Sequence, residues 1–344
     1  SAFYKFTPYS KLSLQYHNIS EFRRGGNNLD LPPHEANITE QLDHDINGGN
    51  LAYDLSSSDY KNRLKAYFSF SNTTRKSYYG GIGEGSFADR IAAQKAYGRT
   101  TDFTTVTGLQ YLHQFDNLLF MPSDLTLGAE YNHDALKDKI IGYNHLLEQK
   151  SRIASAYLQN EWKNKTWSFL LGWRIDKHNL IRHAIFSPRV NLRYNPTENI
   201  NLRASYSSGF RAPQAFDEDL HVGFAGGERI VTRLASGLKE ERSHSFSLSA
   251  DLYQTIGSMQ TNFLIEGFYT HLTDVFALRQ LNTKDSEGNR VQERYNGSGA
   301  KVLGLNLEGK AAFTSWFQLQ AGMTLQQSRY DKETEWGEDA PKVK

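Results

Sequence analysis

Four side chains that carry oxygen atoms, spaced as in a known metal-binding loop, are the clearest candidates for metal chemistry in this sequence. Asp43, Asp45 and Asn47 are followed by Gly48, and Asp54 stands at the twelfth place counted from Asp43. An EF-hand loop presents oxygen ligands at its first, third, fifth and twelfth positions and a glycine at its sixth. The spacing therefore predicts a Ca²⁺ site, and no other cofactor is predicted. The alternation of residue types after Gly48 is instead typical of a strand, so solvated strand carboxylates are the alternative interpretation.

A glycine-rich run follows a pair of tyrosines. Tyr78 and Tyr79 precede Gly80-Gly81-Ile82-Gly83-Glu84-Gly85, but the glycine spacing matches neither of the common nucleotide-binding fingerprints. The run is therefore predicted to be a surface loop, and residues 87–96 are predicted to form a short helix within it. The two tyrosines are predicted to contact a ligand through their aromatic rings.

Several histidines lie in segments predicted to be long loops, where imidazoles could coordinate haem iron or another metal; they are His34, His133, His145, His178, His183 and His221. Their spacing forms no standard metal motif, so solvated loop histidines are the simpler interpretation. The sequence contains no cysteine, no Gly-x-Ser-x-Gly and no His-Glu-x-x-His. We therefore predict that the protein is not an enzyme. An outer-membrane protease or lipase stays open as an alternative only because a catalytic triad is assembled in space rather than in sequence.

Composition excludes several classes of partner. The 344 residues contain 39 Lys and Arg against 38 Asp and Glu, so no basic excess favours nucleic acid. Aromatic residues make up 13% of the chain, which is unusual for a disordered protein. Ser1-Ala2-Phe3-Tyr4 has neither the basic nor the apolar region of a signal peptide. A mature chain or an internal fragment of an exported protein is one expectation, and a protein that is not exported is the other.

Apolar residues recur at every second position along most of the chain. Leu127, Ala129 and Tyr131, for example, alternate with Gly128 and Glu130. About thirteen segments show this period of two, which indicates β-strands. The connections alternate between short and long, and the long ones are predicted at 21–38, 73–101, 132–149, 177–186, 211–238 and 282–299. The pattern predicts an all-β, antiparallel up-and-down barrel whose two rims differ.

Segment length favours a transmembrane β-barrel over a soluble β-sandwich. Most segments extend for about ten residues, whereas strands of soluble sheets have about 5–6 and a membrane-spanning strand needs about 9–11. Aromatic residues near the segment ends would form the girdles of such a barrel; they are Tyr16, Tyr53, Tyr111, Tyr131, Trp162, Tyr194, Tyr206, Tyr269 and Trp316.

Three short boxes resemble those of one family. The first is Gly-Phe-Arg-Ala-Pro at 209–213, and it resembles a hallmark of TonB-dependent outer-membrane receptors. The second, at 238–243, resembles the family's Leu-x-Pro-Glu-x-Ser/Thr, with Glu240 in place of Pro. The third, at 304–308, resembles Gly-Val-Glu-x-Glu, with Asn306 in place of the first Glu. The boxes occur in the family's order, and the resemblance extends over essentially the whole chain.

The resemblance implies a barrel of about 22 strands closed around an N-terminal plug. Residues 1–344 would then be part of a single barrel domain, with about thirteen strands present and the plug and final strands missing. It further implies the outer membrane of a Gram-negative bacterium as location, with membrane lipid and a small-molecule chelate as partners and TonB contacted through the missing plug region. Arg211, Asp217 and His221 at the rim are predicted ligand contacts, and the alternative is that Arg211 has a structural role.

The function implied is TonB-dependent active uptake of a scarce solute. A ferric siderophore or haem comes first, and cobalamin second. The residues at 217–220 depart from the Asn-Pro-Asn-Leu box of some haem receptors, which argues against haem. Two alternatives stay open at this point: a passive porin, and a soluble extracellular β-sandwich that binds carbohydrate.

Overall fold

A computed structural model describes residues 1–140, 145–213, 230–284 and 290–333. Within them the chain forms strands almost throughout, together with one short 3₁₀ turn at Pro33–Glu35 and one helix, α1, at Phe87–Lys95. The strands are β1 Ala2–Thr7, β2 Ser10–Gly26, β3 Thr39–Ser56, β4 Asn62–Gly80, β5 Tyr97–Leu118, β6 Met121–Ile140, β7 His145–Lys163, β8 Trp167–His178, β9 Ile185–Thr197, β10 Ile200–Arg211, β11 Ile230–Leu234, β12 Glu241–Ile256, β13 Met259–Thr273, β14 Phe276–Lys284, β15 Arg290–Asn296, β16 Ala300–Ala312 and β17 Gln318–Tyr330.

One large sheet contains most of these strands. It has 14 strands in the order β1 to β10, β12, β13, β16 and β17, so each strand pairs with the next one of the sheet along the chain. The pairs are antiparallel, which is the arrangement that the alternating residues and the short turns predict. The prediction of an all-β, up-and-down antiparallel architecture is therefore confirmed.

The two faces of the large sheet differ in polarity. Ala66, Leu109, Ala129, Ala156 and Ile175 lie directly opposite one another on β4 to β8, and they define what we call the outer face. Leu109 is 50% exposed, and its neighbours in this row are also apolar. A continuous exposed apolar face of this kind is unfavourable in water and suits contact with lipid, as in a membrane barrel. The opposite, polar side is the inner face.

The strands extend further toward the long connections than the sequence predicts. Residues 132–149 were expected to form a long connection, but β6 continues to Ile140 and β7 begins at His145, with Lys139 still paired to Leu146. The prediction is wrong here because polar side chains occupy both faces of these strand ends. Backbone pairing can continue without an apolar face, whereas the apolar alternation that reveals a strand in the sequence is absent.

Two of the long connections are joined by a second, smaller sheet. β14 and β15 form an antiparallel hairpin between β13 and β16, and β11 from the connection after β10 pairs in parallel with β15. The Asn296 side chain fixes this sheet to the rim, because its Nδ2 donates to the carbonyl oxygens of Lys239, at 3.1 Å, and Asp274, at 2.8 Å. The sequence did not predict this sheet.

Aromatic rings cluster at the short-turn ends of the strands. Trp167 stacks on Tyr194 with their ring centroids 4.1 Å apart, and Trp162 stacks on Phe120 at 5.6 Å. The indole nitrogen of Trp162 also donates to the carbonyl oxygen of Leu118 at 3.0 Å. These amphipathic rings lie where an interfacial girdle would be needed. Among the described residues, no helix has the length and apolar character needed to cross a membrane.

Candidate functional site on the inner face and the long-loop rim

An ion-paired network lies on the inner face of β4 to β8. The Arg174 guanidinium contacts Glu130 at 2.9 Å and Asp176 at 2.8 Å, and it donates to the Ser155 hydroxyl at 2.7 Å. The Tyr67 hydroxyl donates to the second oxygen of Glu130 at 2.6 Å. Asp176 is almost fully buried, whereas Arg174 is partly exposed. The guanidinium of Arg174 is therefore the charged group of this network that faces the interior, and the buried carboxylate lies behind it. Such charge-assisted bonds hold the side chains in fixed positions.

A glycine makes the longest reach of this network possible. Tyr67 on β4 bonds to Glu130 on β6, and its ring crosses Gly108 on the intervening strand β5. A Cβ atom on Gly108 would lie 2.2 Å from the Tyr67 ring carbon Cζ, far closer than real contacts allow. Glycine at this position therefore lets a side chain lie flat against the wall.

A second polar cluster lies on the inner face nearer the long loops. The Arg75 guanidinium donates to Thr100 at 3.0 Å and lies 3.4 Å from Asp138, and the Thr100 hydroxyl bonds to the same carboxylate. Asp138 is only 2% exposed, so its charge depends on these partners. Together with the Arg174 network, this cluster places charged and hydrogen-bonding groups at two levels of the inner wall.

Two carboxylates approach each other close to this second cluster. The Thr104 hydroxyl lies between them, 3.0 Å from an Asp134 oxygen and 3.4 Å from an Asp102 oxygen. Burial, together with the neighbouring Asp134 carboxylate, raises the pKa of Asp102 to about 6. Asp102 lies about 16 residues from the short-turn end of β5, beyond the roughly 9–11 residues that span a membrane. The pair therefore holds a proton more readily than separate carboxylates would.

We predict that Asp102→Asn stabilises the protein at pH 8 by about 1–2 kcal/mol and by clearly less at pH 4.5. The folded-state pKa lies above the ordinary value of 3.8, so the cost of ionising Asp102 appears as the pH rises from about 4 and is complete above about 6. The asparagine variant avoids this cost. Denaturant unfolding in detergent at both pH values measures the effect, with the exposed Asp30→Asn as control. An equal gain at both pH values would contradict the prediction.

The residues of the predicted Ca²⁺ site lie along one extended strand. Asp43, Asp45, Asn47 and Asp54 all belong to β3, where no loop and no flanking helix exists. Asp43, Asp45 and Asn47 point to the outer face, whereas Asp54 has the opposite parity and lies about 36 Å further along the strand. The EF-hand interpretation is therefore wrong. The part of the chain that the structure describes contains no group of three or more His, Asp or Glu side chains placed to hold a metal.

Two of these residues, Asp45 and Asn47, have a structural role instead. Asp45 accepts a hydrogen bond from Asn18 at 2.8 Å and another from Asn47 at 3.2 Å, and Asn47 accepts from the Tyr16 hydroxyl at 2.7 Å. These bonds connect β2 and β3 just beyond the apolar part of the outer face.

The predicted ligand contacts Tyr78 and Tyr79 are buried. Tyr78 is 1% and Tyr79 7% exposed, which contradicts the prediction that their rings meet a ligand. The Tyr78 ring packs edge-on against Tyr97 with the centroids 4.8 Å apart, and the Tyr97 hydroxyl bonds to the His34 ring nitrogen at 2.9 Å. Burial raises the pKa of Tyr78 to about 12. Tyr78 and Tyr97 therefore pack at the base of two neighbouring loops.

Those two loops are bound to each other by backbone and side-chain hydrogen bonds. The Ile82 N–H donates to the carbonyl of Ala36 at 2.9 Å, and the Asn37 side chain donates to the carbonyl of Gly83 at 2.8 Å. The predicted short helix is confirmed as α1, and Ser86 and Asp89 cap its first turn reciprocally. The glycine-rich run is thus a fixed surface loop within the long-loop rim.

Arg211 ends β10 at the same rim. Its guanidinium lies over the Phe276 ring, 5.5 Å from the centroid, so a cation–π contact connects the Gly-Phe-Arg-Ala-Pro box to the smaller sheet. Arg211 itself is exposed. The other two predicted ligand contacts, Asp217 and His221, lie outside the described residues.

The Glu240 carboxylate explains a departure from the family's second box. It accepts from His183 at 2.9 Å and from Arg242 at 2.9 Å. Burial alone would raise the pKa of Glu240, but hydrogen bonds from its own backbone, His183 and Arg242 hold the pKa below its ordinary value. Glu240 thus joins the β8–β9 connection to the start of β12, a contact that proline could not make.

The remaining loop histidines of the sequence prediction are dispersed. His178 is fully buried: its Nδ1 accepts from the Leu180 N–H at 3.0 Å, so its Nε2 donates to Ser151, also at 3.0 Å. This tautomer uses both nitrogens in structural bonds. His133 lies on the outer face opposite Arg152, and His145 begins β7. The structure does not bring the side chains of His34, His133, His178 and His183 together.

The residues that sequence reasoning missed are the charged members of the inner wall. Each of these residues, Arg174, Glu130 and Arg75, occupies a polar position of an alternating strand. A charged residue within such a strand is the feature of the sequence that indicates a charge on the inner wall. Alternation assigns each residue to a face, but the partner of each charge depends on the register between strands.

A 14-stranded meander with one apolar and one polar face and unequal rims defines a protein of the outer-membrane β-barrel class. The family model described as TonB dependent receptor-like, beta-barrel, matches residues 1–343. The chain belongs to this family, which is one of receptors and transporters rather than of enzymes.

Solved structures agree with this assignment at the level of the fold. The outer-membrane transporter YddB from Escherichia coli superposes with a TM-score of 0.73 at 11% identity over 95% of this chain and 47% of that one. The siderophore receptor PirA from Acinetobacter baumannii superposes with a TM-score of 0.69 at 14% sequence identity. The match covers 96% of this chain and 52% of PirA. The FrpB iron transporter from Neisseria meningitidis superposes with a TM-score of 0.65 at 15% sequence identity. The match covers 95% of this chain and 52% of FrpB. The chain spans about half the length of these structures. No curated protein matches it by sequence.

Proposed function

We propose that this chain forms part of the barrel wall of a Gram-negative outer-membrane receptor that takes up a large, scarce solute by TonB-dependent transport. The observation that carries the proposal is the charged, hydrogen-bonded inner face, which continues to a rim of interlocked loops in a chain of this family. A ferric siderophore is the solute class that we favour, because PirA is a siderophore receptor and FrpB an iron transporter. Haem and cobalamin follow.

In this proposal the wall performs no covalent chemistry. The Arg174 and Arg75 guanidiniums and their carboxylate partners offer fixed charges to a solute or to a plug, and an N-terminal plug region outside residues 1–344 would contact TonB. The rim loops would capture the solute. Asp217 and His221 stay predictions as ligand contacts, and Arg211 would support the rim through Phe276.

We predict that deleting the gene abolishes saturable uptake of one ferric chelate in iron-limited cells. Uptake of labelled ferric siderophores, haemin and cobalamin is measured in wild-type, deleted and complemented strains, and in a strain without TonB. The proposal expects saturation at submicromolar concentration and loss in both mutants. Uptake that rises linearly with concentration and does not need TonB would instead identify a passive porin.

A further inference from the structure

Three cations lie directly opposite one another on the outer face of β4, β5 and β6. Lys76 pairs with Arg99, and Arg99 pairs with Lys139. Directly opposed side chains have Cβ atoms about 5 Å apart, and like charges in such pairs destabilise a sheet. The register is continuous around these residues, so the sheet keeps the three charges together. This row needs an anion to offset its repulsion.

Further cations of β6 and β7 extend the row into a patch. Lys137 lies next to Lys139 on the same face, and Lys150 and Arg152 follow on β7 opposite Ala135 and His133. All of these cationic side chains are exposed. We call this set the outer basic patch; it consists of Lys76, Arg99, Lys137, Lys139, Lys150 and Arg152.

The outer basic patch is poorly neutralised by the protein. Glu148 pairs with Lys137 at 2.6 Å, and Asp43 faces Lys76 without forming an ion pair. Within the described residues, the other cations of the patch form no ion pair. On the outer face of β16, by comparison, Lys301 contacts Asp331 at 2.8 Å.

The position of the patch indicates which anion it meets. Arg152 and Lys150 lie about 11 and 13 residues from the short-turn end of β7, whereas a strand crosses the hydrocarbon layer in about 9–11 residues. Lys76, Lys139 and Arg99 lie further out, about 14, 18 and 19 residues from the short-turn ends of β4, β6 and β5. The cations therefore begin where the apolar face ends, on the side of the long loops. Tyr131 and Phe103, both exposed on the same face, border the patch and offer apolar contact.

We propose that the outer basic patch binds the headgroup of a lipid that carries more than one phosphate, in the membrane leaflet on the long-loop side. A multiply charged phosphate headgroup would match several guanidinium and ammonium groups at once, and Thr74 and Thr101 add hydroxyls on the same face. The acyl chains of such a lipid would lie along the apolar rows below. This proposal goes beyond solute uptake and rests on the membrane location proposed above.

The test compares the full-length protein with a variant in which Lys76, Arg99 and Lys139 are replaced by glutamine. Each protein is placed in phosphatidylcholine nanodiscs that contain bis-phosphorylated lipid A, its monophosphorylated form or neither, and bound lipid is quantified by native mass spectrometry. We expect the variant to bind the bis-phosphorylated lipid at least about tenfold more weakly, because each cation near an anionic surface contributes appreciably. High salt should weaken binding by the wild type.

The matched control replaces three cations that already have carboxylate partners, Lys61, Lys301 and Lys310, by glutamine. This control should bind lipid like the wild type. Heat-modifiable migration in gels reports whether each variant still forms its barrel in the membrane, so failure of the membrane location is distinguished from failure of the lipid site.

A second readout separates the lipid site from a structural role. In neutral detergent the glutamine variant should be more stable than the wild type, because the opposed cations are gone, and only the wild type should gain stability when the bis-phosphorylated lipid is added. Equal lipid binding by the test and control variants would overturn the proposal. Equal binding of the monophosphorylated lipid, or tight binding of soluble pyrophosphate without lipid, would overturn it as well.

Discussion

Replacing Arg174 by methionine is expected to lower the free energy of unfolding by about 2–4 kcal/mol. Arg174 is the cation shared by Glu130 and Asp176, and Asp176 is almost completely buried. Methionine keeps much of the apolar stem but leaves two carboxylates on the wall without their partner. The range is below that of a fully buried ion pair because the Arg174 side chain itself is 36% exposed. Denaturant unfolding in detergent measures the loss.

Arg203→Met is the matched control for this prediction. Arg203 also lies on the inner face near a carboxylate, but its side chain is 56% exposed and it stands 3.9 Å from Asp251, so its loss should cost less than about 0.5 kcal/mol. Adding Glu130→Gln to the Arg174 variant should recover part of the lost stability, because one unpaired charge is removed. A similar loss in both single variants would show that the network contributes nothing beyond surface charge.

The strands were predictable because the hydrocarbon layer imposes a strict period of two on them. Leu109 and Leu127, for example, occupy the outer face at the positions that the alternation assigns. The same rule fails where a strand leaves the apolar layer, since neither face of the end of β6, up to Ile140, needs apolar residues. The sequence therefore predicts the membrane part of each strand more accurately than its extension toward the rim.

The Ca²⁺ prediction failed for a related reason. An EF-hand loop and one face of a β-strand both place ligand-type residues at alternate positions, so Asp43, Asp45 and Asn47 fit either pattern. Only Asp54 distinguishes the two, because it belongs to the opposite face when the chain is extended. In a chain dominated by period-two alternation, this spacing favours a strand.

Contacts between distant segments explain the remaining differences. Tyr78 is adjacent to glycines and to a long connection, but the loop that helps to cover it comes from residues 27–38. In the same way, the outer basic patch combines cations from 76 to 152, and the nearly balanced total charge conceals their segregation on one face. Such features depend on pairing between strands, which composition and local pattern do not encode.

Replacing Gly26 by valine should separate the two interlocked loops of the rim while leaving the barrel assembled. Gly26 ends β2 with φ +108°, and a Cβ atom there would lie 2.1 Å from the carbonyl oxygen of Ile38. A β-branched residue resists this conformation, and backbone cannot yield as a flexible side chain can, so we expect a local cost of about 3 kcal/mol or more. That carbonyl is the acceptor of the Asn27 N–H at 3.1 Å, so this bond that closes the loop would also be lost.

The neighbouring glycine supplies a close comparison. A Cβ atom on Gly25 would meet no other atom within 4 Å, and Gly25 belongs to an extended strand, so Gly25→Val should be tolerated. Limited proteolysis followed by mass spectrometry should show rapid cleavage within residues 27–38 only in the Gly26 variant. Because Tyr78 loses its cover when that loop moves, its ring should also become accessible to iodination. Equal cleavage and labelling in the two variants would mean that the loops are held by other contacts than the turn at Gly26.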